Sequence, residues 1–251
     1  MIVRERSNSF VLIDQHHHAS ISGNLFKQLK EALQPELAWR QAIEIAILHH
    51  DCGWIPFDQA PFWNDEKSAP YSFTDFPTSP KTVLYKTGID KVEANSTYAA
   101  LLCSNHYELF LKDNKEPLAK QFIKAEKSRQ ENIKQLFPGF DENVFASHYK
   151  ILQFFDNLSL YICLNEPGTK KEKEHPFFQN GIPLPDQFGG GILQLHWSDE
   201  RHIQLSSSLF AAEVDLLVHQ KTVSKNCISK NGLQKAFDAA KTEKIPVAIK
   251  G

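Results

Sequence analysis

Apolar and polar positions follow two periods along the chain. Ile2-Val3-Arg4-Glu5 and Phe10-Val11-Leu12-Ile13 are β-rich runs split by the polar Arg6-Ser7-Asn8-Ser9, which predicts a short hairpin. After Asp14-Gln15 the period lengthens. Ile21, Leu25, Leu29 and Leu33 recur every four residues on one helical face, and Pro35 ends that helix. A second helix is predicted from near Glu36, with Trp39, Ala42, Ile43, Ala46, Ile47 and His50 on its apolar face, closing at Asp51-Cys52-Gly53. Residues 55–90, rich in Pro, Asp, Ser and Phe, predict a long irregular segment; loops of that length inside a domain tend to be functional. Helical periodicity resumes from about Asp90 to Phe110, Lys115 to Phe137 and Asp141 to Leu164, with Pro138-Gly139 between the last two. Asn165 to Gly191 is a breaker zone. Beyond it Ile192–Trp197, His202–Leu205, Val214–Val223 and Ile245–Ile249 predict strands, with a short helix near Leu233–Lys241.

These elements imply a mainly α fold: a bundle of about five helices, then a small antiparallel sheet of C-terminal strands that the N-terminal strands can join. The expected organisation is a helical domain over 1–165, a linker over 166–191 and a β-rich subdomain over 192–251. Composition narrows the class. With 28 Lys+Arg against 30 Asp+Glu and 41% hydrophobic residues, the chain is too apolar and too balanced for disorder. It lacks the basic stripe of a nucleic-acid binder. No stretch of 18 consecutive apolar residues predicts a membrane span, and the start does not read as a secretory signal. Cys52, Cys103, Cys163 and Cys227 are too scattered for a disulfide framework or zinc knuckle, and read as buried small hydrophobes of a cytoplasmic protein. The expected partner is a small-molecule substrate, with no nucleic acid or membrane; a homo-oligomer is compatible with the chain.

Chemistry concentrates in three places. Gln15-His16-His17-His18 opens the first long helix, His49-His50-Asp51 closes the second, and Asp156 interrupts the apolar run of the last as Phe155-Asp156-Asn157-Leu158. A lone carboxylate beside Leu152, Phe155 and Leu158 is costly to bury unless it is paired or binds a metal. Imidazole and carboxylate are the ligand types of hard-to-borderline divalent metals, and bundles build such sites from facing helices.

The order of these features resembles the HD superfamily of metal-dependent phosphohydrolases, and more closely an uncharacterised, mostly bacterial branch of it. That branch combines a Gln-x-x-His-x-x-x-Ser-Gly-x-Leu start, a His-Asp-x-Gly-Trp element, a Ser-x-His and an Asp-x-Leu-Ser-Leu. Here these read Gln15 to Leu25, His50-Asp51-Cys52-Gly53-Trp54, Ser104-Asn105-His106 and Asp156-Asn157-Leu158-Ser159-Leu160, over roughly residues 10–165. The resemblance implies that His18, His50, Asp51 and Asp156 hold a divalent metal (Mn, Mg, Fe, Zn or Ni), with His18 chosen over His16 and His17 by its offset to Ser22-Gly23. It implies hydrolysis of a small phosphorylated or nucleotide substrate by metal-activated water, with Asp51 and His106 as catalytic residues. His106 fits the slot of the extra histidine that superfamily members place between the His-Asp and the final Asp; there it can protonate a leaving group or orient phosphate. His148 precedes Asp156 by eight residues, about 12 Å along a helix, too far for one ion. The pattern departs from many superfamily hydrolases in one respect. Lys27, Lys30 and Arg40, the basic residues between His18 and Asp51, adjoin no ligand, whereas Trp54, Phe57, Phe62 and Trp63 suggest either an aromatic pocket wall or core packing. Two other functions fit the same residues: a di-iron oxygenase of the HD type, and a non-catalytic metal-containing binding module.

Overall fold

The hairpin predicted at the start forms from β1 (Ile2–Glu5) and β2 (Ser9–Ile13) in the computed structural model, which describes residues 1–251. The helical body follows: α1 (Gln15–Lys27), α2 (Leu37–His49), the short α3 (Ile55–Gln59), then α4 (Thr78–Glu93), α5 (Thr97–Leu111), α6 (Pro117–Lys134) and α7 (Glu142–Leu164). Between α3 and α4 lies a two-stranded ribbon of β3 (Trp63–Asn64) and β4 (Ala69–Pro70). After α7 come a second ribbon, β5 (Ile182–Pro183) with β6 (Ile192–Leu193), and the strands β7 (Leu195–Trp197), β8 (His202–Leu205) and β9 (Val214–Ser224). Two short helices, α8 (Lys225–Asn231) and α9 (Leu233–Ala239), lead to the last strand, β10 (Thr242–Lys250).

A mainly helical fold is therefore what forms, but its sheet is neither small nor wholly antiparallel. Six strands run in the order β1-β2-β9-β10-β8-β7. The N-terminal strands join it through β2, whose Ser9 to Leu12 pair antiparallel with Ser224 to Lys221 of β9. β10 pairs antiparallel with β9 on one side and parallel with β8 on the other. The parallel pair arises because the chain passes from β8 to β9 leaving one strand position open, and β10 then returns antiparallel to β9 into that position beside β8. Phe10, Val11, Leu12 and Ile13 are all buried, as the unbroken apolar run of β2 requires of a strand covered on both faces.

Three boundaries differ from the sequence expectation. The first helical run stops at Lys27, and Leu33 belongs to a separate 3-10 turn, Glu31–Leu33. The expected irregular stretch 55–90 contains α3 and most of α4, and the expected Asp90–Phe110 helix is divided at Asn95-Ser96, where the Ser96 hydroxyl caps α5 by accepting from the Ala99 N–H. Tyr85, Ile89 and Val92 give α4 a buried face that its Pro, Ser and Thr content hides. Within 166–191, Phe178, Ile182 and Phe188 are buried and belong to the same continuous apolar core as both the helices and the sheet. No helix is long and apolar enough to cross a membrane.

Candidate metal centre

Four helices deliver the chemistry. α1 carries Gln15 and His18, the end of α2 presents His50 and then Asp51, α5 carries His106 and Tyr107, and α7 carries Asp156 and Ser159. At the end of α2 the backbone leaves the helix at Asp51 and enters a 3-10 turn, Cys52–Trp54. This turn packs so closely on α4 that a Cβ at Gly53 would fall on the Leu84 carbonyl oxygen. The glycine thus lets α4 press the His50-Asp51 corner towards α1 and α7.

The corner closes on one buried cluster. His18 Nε2 lies 2.9 Å from Asp51 Oδ2 and 3.6 Å from Asp156 Oδ1. His50 Nε2 lies 3.3 Å from His18 Nε2, 3.4 Å from Asp156 Oδ1 and 3.7 Å from Asp51 Oδ2. Metal–ligand bonds of about 2.0–2.2 Å put neighbouring donors of a tetrahedral or octahedral ion about 2.8–3.6 Å apart; four of these five separations fall in that range and the fifth, 3.7 Å, lies just beyond it. His18 is 0%, His50 1%, Asp51 4% and Asp156 6% exposed, so two carboxylates sit in the interior with no lysine or arginine against them; their ion pairs run only to histidines. A dication is the charge that balances two such carboxylates.

Surrounding hydrogen bonds aim the donors. The His50 Nδ1–H donates to the Ile47 carbonyl at 2.8 Å, which turns the Nε2 lone pair towards the cluster. The Ser159 hydroxyl donates to the Asp156 carbonyl at 3.0 Å and lies 2.7 Å from His18 Nδ1, where it accepts that ring's proton and frees His18 Nε2. Ser22 Oγ sits 2.7 Å from Ser159 Oγ and steadies it. Asp51 receives the Gln15 side-chain amide on Oδ2 at 2.8 Å and the Tyr107 hydroxyl on Oδ1 at 2.8 Å. Tyr107 also contacts the His50 carbonyl and stacks on Tyr85 with ring centroids 3.8 Å apart.

Titration follows from this geometry. Burial alone would lower His50, but the negative charge of Asp51 and the hydrogen bond and charge of Asp156 overcome it and raise its pKa to about 9. Burial opposes ionisation of Asp51 and Asp156 as well; the facing histidines nonetheless hold both carboxyls below their usual range. His106 goes the other way. Burial pushes it down to about 4 despite nearby Asp156, so it is neutral at pH 7. Its Nε2 is buried with no hydrogen-bond partner, 3.6 Å from Asp156 Oδ2, the carboxylate oxygen that faces away from His18 and His50. Its Nδ1 lies 3.3 Å from the Tyr149 hydroxyl, and the exposed Phe110 ring covers it at 4.3 Å between centroids.

The structure thus brings His18, His50, Asp51, Asp156 and His106 together, and two overlapping triads, His18-His50-Asp51 and His50-His106-Asp156, could each hold an ion. The neighbouring histidines divide. His16 stacks on His49 with centroids 6.0 Å apart beside the cluster, but His17 turns to the sheet, stacks on His219 at 4.5 Å and accepts the His219 N–H on Nε2 at 2.8 Å. His148 bonds the Tyr98 hydroxyl instead. Trp54 and Phe57 are core, packed on each other and on Phe76, while Lys27, Lys30 and Arg40 are engaged by Glu44, Ser208 and Glu31. Tyr107 is the functional side chain that the sequence did not single out; its only signal is its place next to His106 in a buried helix.

Fold and site together define a helical protein, backed by a six-stranded sheet, with a buried His/Asp cluster able to hold a divalent metal. The family model described as "Protein of unknown function (DUF3891)" matches residues 1–225, and the chain belongs to that family. No curated protein and no solved structure matches it.

Proposed function

We propose that the protein is a metal-dependent hydrolase of the HD type, acting on a small phosphorylated or nucleotide substrate. The observation that carries this reading is the meeting of His18, His50, Asp51 and Asp156, from three separate parts of the chain, in one buried cluster of two overlapping donor triads completed by His106. The donor set fits the group: two aimed imidazole Nε2 atoms, two carboxylates, and orphaned buried polar atoms on His106 and Gln15 at the edge. A divalent ion held there supplies a bound water of lowered pKa and polarises phosphoryl oxygens.

The chain's own residues do the rest. Tyr107 and Gln15 fix the plane of the Asp51 carboxylate, and Ser159 fixes the tautomer of His18. His106, neutral at pH 7, takes up a proton at Nε2 more readily than it gives one, and Asp156 Oδ2 stabilises the imidazolium so formed. With no lysine or arginine ion-paired to either carboxylate, the charge of a phosphate would have to be met by the bound ion, and neutral His106 could offer it only a hydrogen bond. His18, His50, Asp51, Asp156 and His106 are all buried, and the Phe110 ring covers His106, so a shift of Phe110 would open the cluster to a substrate.

The test combines metal content with turnover on a panel of phosphomonoesters and nucleotides. The proposal expects a divalent ion and metal-dependent hydrolysis that Asp51→Ala abolishes. Bound metal without turnover across the panel would leave a binding module instead. Two irons per chain with oxygen consumption, both reduced by His106→Ala, would replace hydrolysis with oxygenase chemistry.

A further inference from the structure

At the opposite end of the same helices, the turn Phe137-Pro138-Gly139-Phe140 between α6 and α7 folds over α2 and α5. Trp39 precedes His50 on α2 by eleven residues, and Tyr98 precedes His106 on α5 by eight, so this end lies about 12–16 Å from the His/Asp cluster along the helices. A cavity of 270 Å³ opens here. Its walls are the rings of Trp39, Tyr98, Phe137 and Phe140, and its rim carries Glu36 and Asp141.

The rings do not stack into a slab. Trp39 meets Tyr98 at 37° with centroids 4.3 Å apart and Phe137 at 52° and 5.9 Å, while Tyr98 and Phe137 stand at 77° and 5.5 Å. Several faces and edges therefore bound one corner. The Tyr98 hydroxyl is engaged below by His148 Nδ1 at 2.8 Å, and its buried ring, packed on Trp39, Phe137 and Phe145, forms the inner wall. His148 is held below its ordinary pKa by burial, so the floor brings no positive charge at pH 7. Neither rim carboxylate is neutralised by a lysine or arginine. Asp141 caps α7 through Oδ1, accepting the Asn143 N–H at 2.7 Å, and Glu36 is exposed at the start of α2. Phe140 already meets a cation from another element: Lys134 Nζ lies 5.6 Å from its ring centroid, its charge shared with Glu142 at 2.8 Å.

We infer that this cavity binds a small organic cation of the quaternary or methylated ammonium class. Aromatic faces attract such a cation through the ring quadrupole and accept its methyl groups as apolar surface, and the two carboxylates supply the opposite charge. A bare ammonium ion is served less well, because the aromatic walls offer few acceptors to replace its water. The volume lies just below the range of about 300–1,000 Å³ common for larger ligands, which selects a compact head group.

The experiment is calorimetric titration of the full-length protein with tetramethylammonium, with choline, and with the neutral tert-butyl analogue of choline. Saturable binding of both cations is expected, with the neutral analogue at least about tenfold weaker. Glu36→Gln, at an exposed helix start, weakens cation binding about threefold or more while circular dichroism stays unchanged. Trp39→Leu removes binding; should that variant not fold, Phe140→Leu is the substitute and weakens it likewise. Chelation of metal leaves cation binding unchanged, so the result stands or falls apart from the metal centre. Absence of saturable cation binding to folded wild type, or equal binding of the neutral analogue, overturns the inference.

Discussion

Asp156 illustrates how a single residue constrains the whole site. It is a carboxylate in the middle of an apolar helix, held ionised by histidines contributed from α1, α2 and α5. Its burial cost made it conspicuous in the sequence, and His18, His50 and Asp51 were legible beside it because the motif elements fall in order. The residues that aim the donors were less legible. Ser159 and Gln15 lay inside the motifs without a stated role, and Tyr107 matters only because the fold points its hydroxyl at Asp51, a relation no local pattern encodes. Removing these supports tests them. Ser159→Ala and Tyr107→Phe are each expected to weaken metal binding about 10–100-fold, as read by competition with a chromogenic chelator, with helix content retained.

The pKa of His50 gives a second prediction at this scale. Because it is raised to about 9 in the folded metal-free protein, above the ordinary 6.5, it contributes stability that is complete below pH 6.5 and is lost as pH rises through about 9. An ion must displace that proton. Metal binding at pH 7 therefore releases protons, detectable by calorimetry in buffers of different ionisation enthalpy, and apparent affinity climbs with pH until about 9.

At the scale of elements, the contact between Gly53 and α4 sets the position of the His-Asp corner. A Cβ at Gly53 would meet the Leu84 carbonyl, and one at Gly88 would sit 3.0 Å from the Gly53 nitrogen. Gly53→Ala is expected to destabilise the protein by about 1–3 kcal/mol in urea unfolding, and to lower metal affinity because the corner must move. An exposed control such as Ala38→Gly is expected to cost no more than about 1 kcal/mol and to leave the metal affinity unchanged. Gly53 was visible in the sequence as a helix stop and as part of the His-Asp-x-Gly-Trp element, but not as a packing contact. Its partner was not visible at all, because the Pro, Ser and Thr residues around 77–82 disguised the first turns of α4 as loop. The amphipathic α2, α6 and α7 were legible to within a few residues, since each has a strong apolar face and a clear stop. The short α8 offers neither.

For the molecule as a whole, strand order decides the cooperativity. β2 from the start of the chain and β10 from its end flank the same strand, β9, and one apolar cluster of 63 residues spans helices and sheet. The chain should therefore unfold in a single transition by both helix and sheet signals, rather than as separate helical and β-rich units. Sequence patterning located the main strands and allowed the N-terminal pair to join them, but not the strand order or the parallel β8–β10 pair, because pairing between distant strands leaves no local trace. Ligand linkage adds a measurable shift: metal at 100 times its Kd adds about 2.7 kcal/mol, or about 5–11 °C in Tm for a domain of this size.

The most direct test of the central claim is elemental analysis of purified wild type and Asp51→Ala, paired with circular dichroism. Wild type is predicted to carry divalent metal at one ion or more per chain, and the folded variant to carry little or none. A folded variant that keeps the full complement, or a wild type that takes up none when incubated with Mn, Fe, Zn, Ni and Mg salts, would contradict the account.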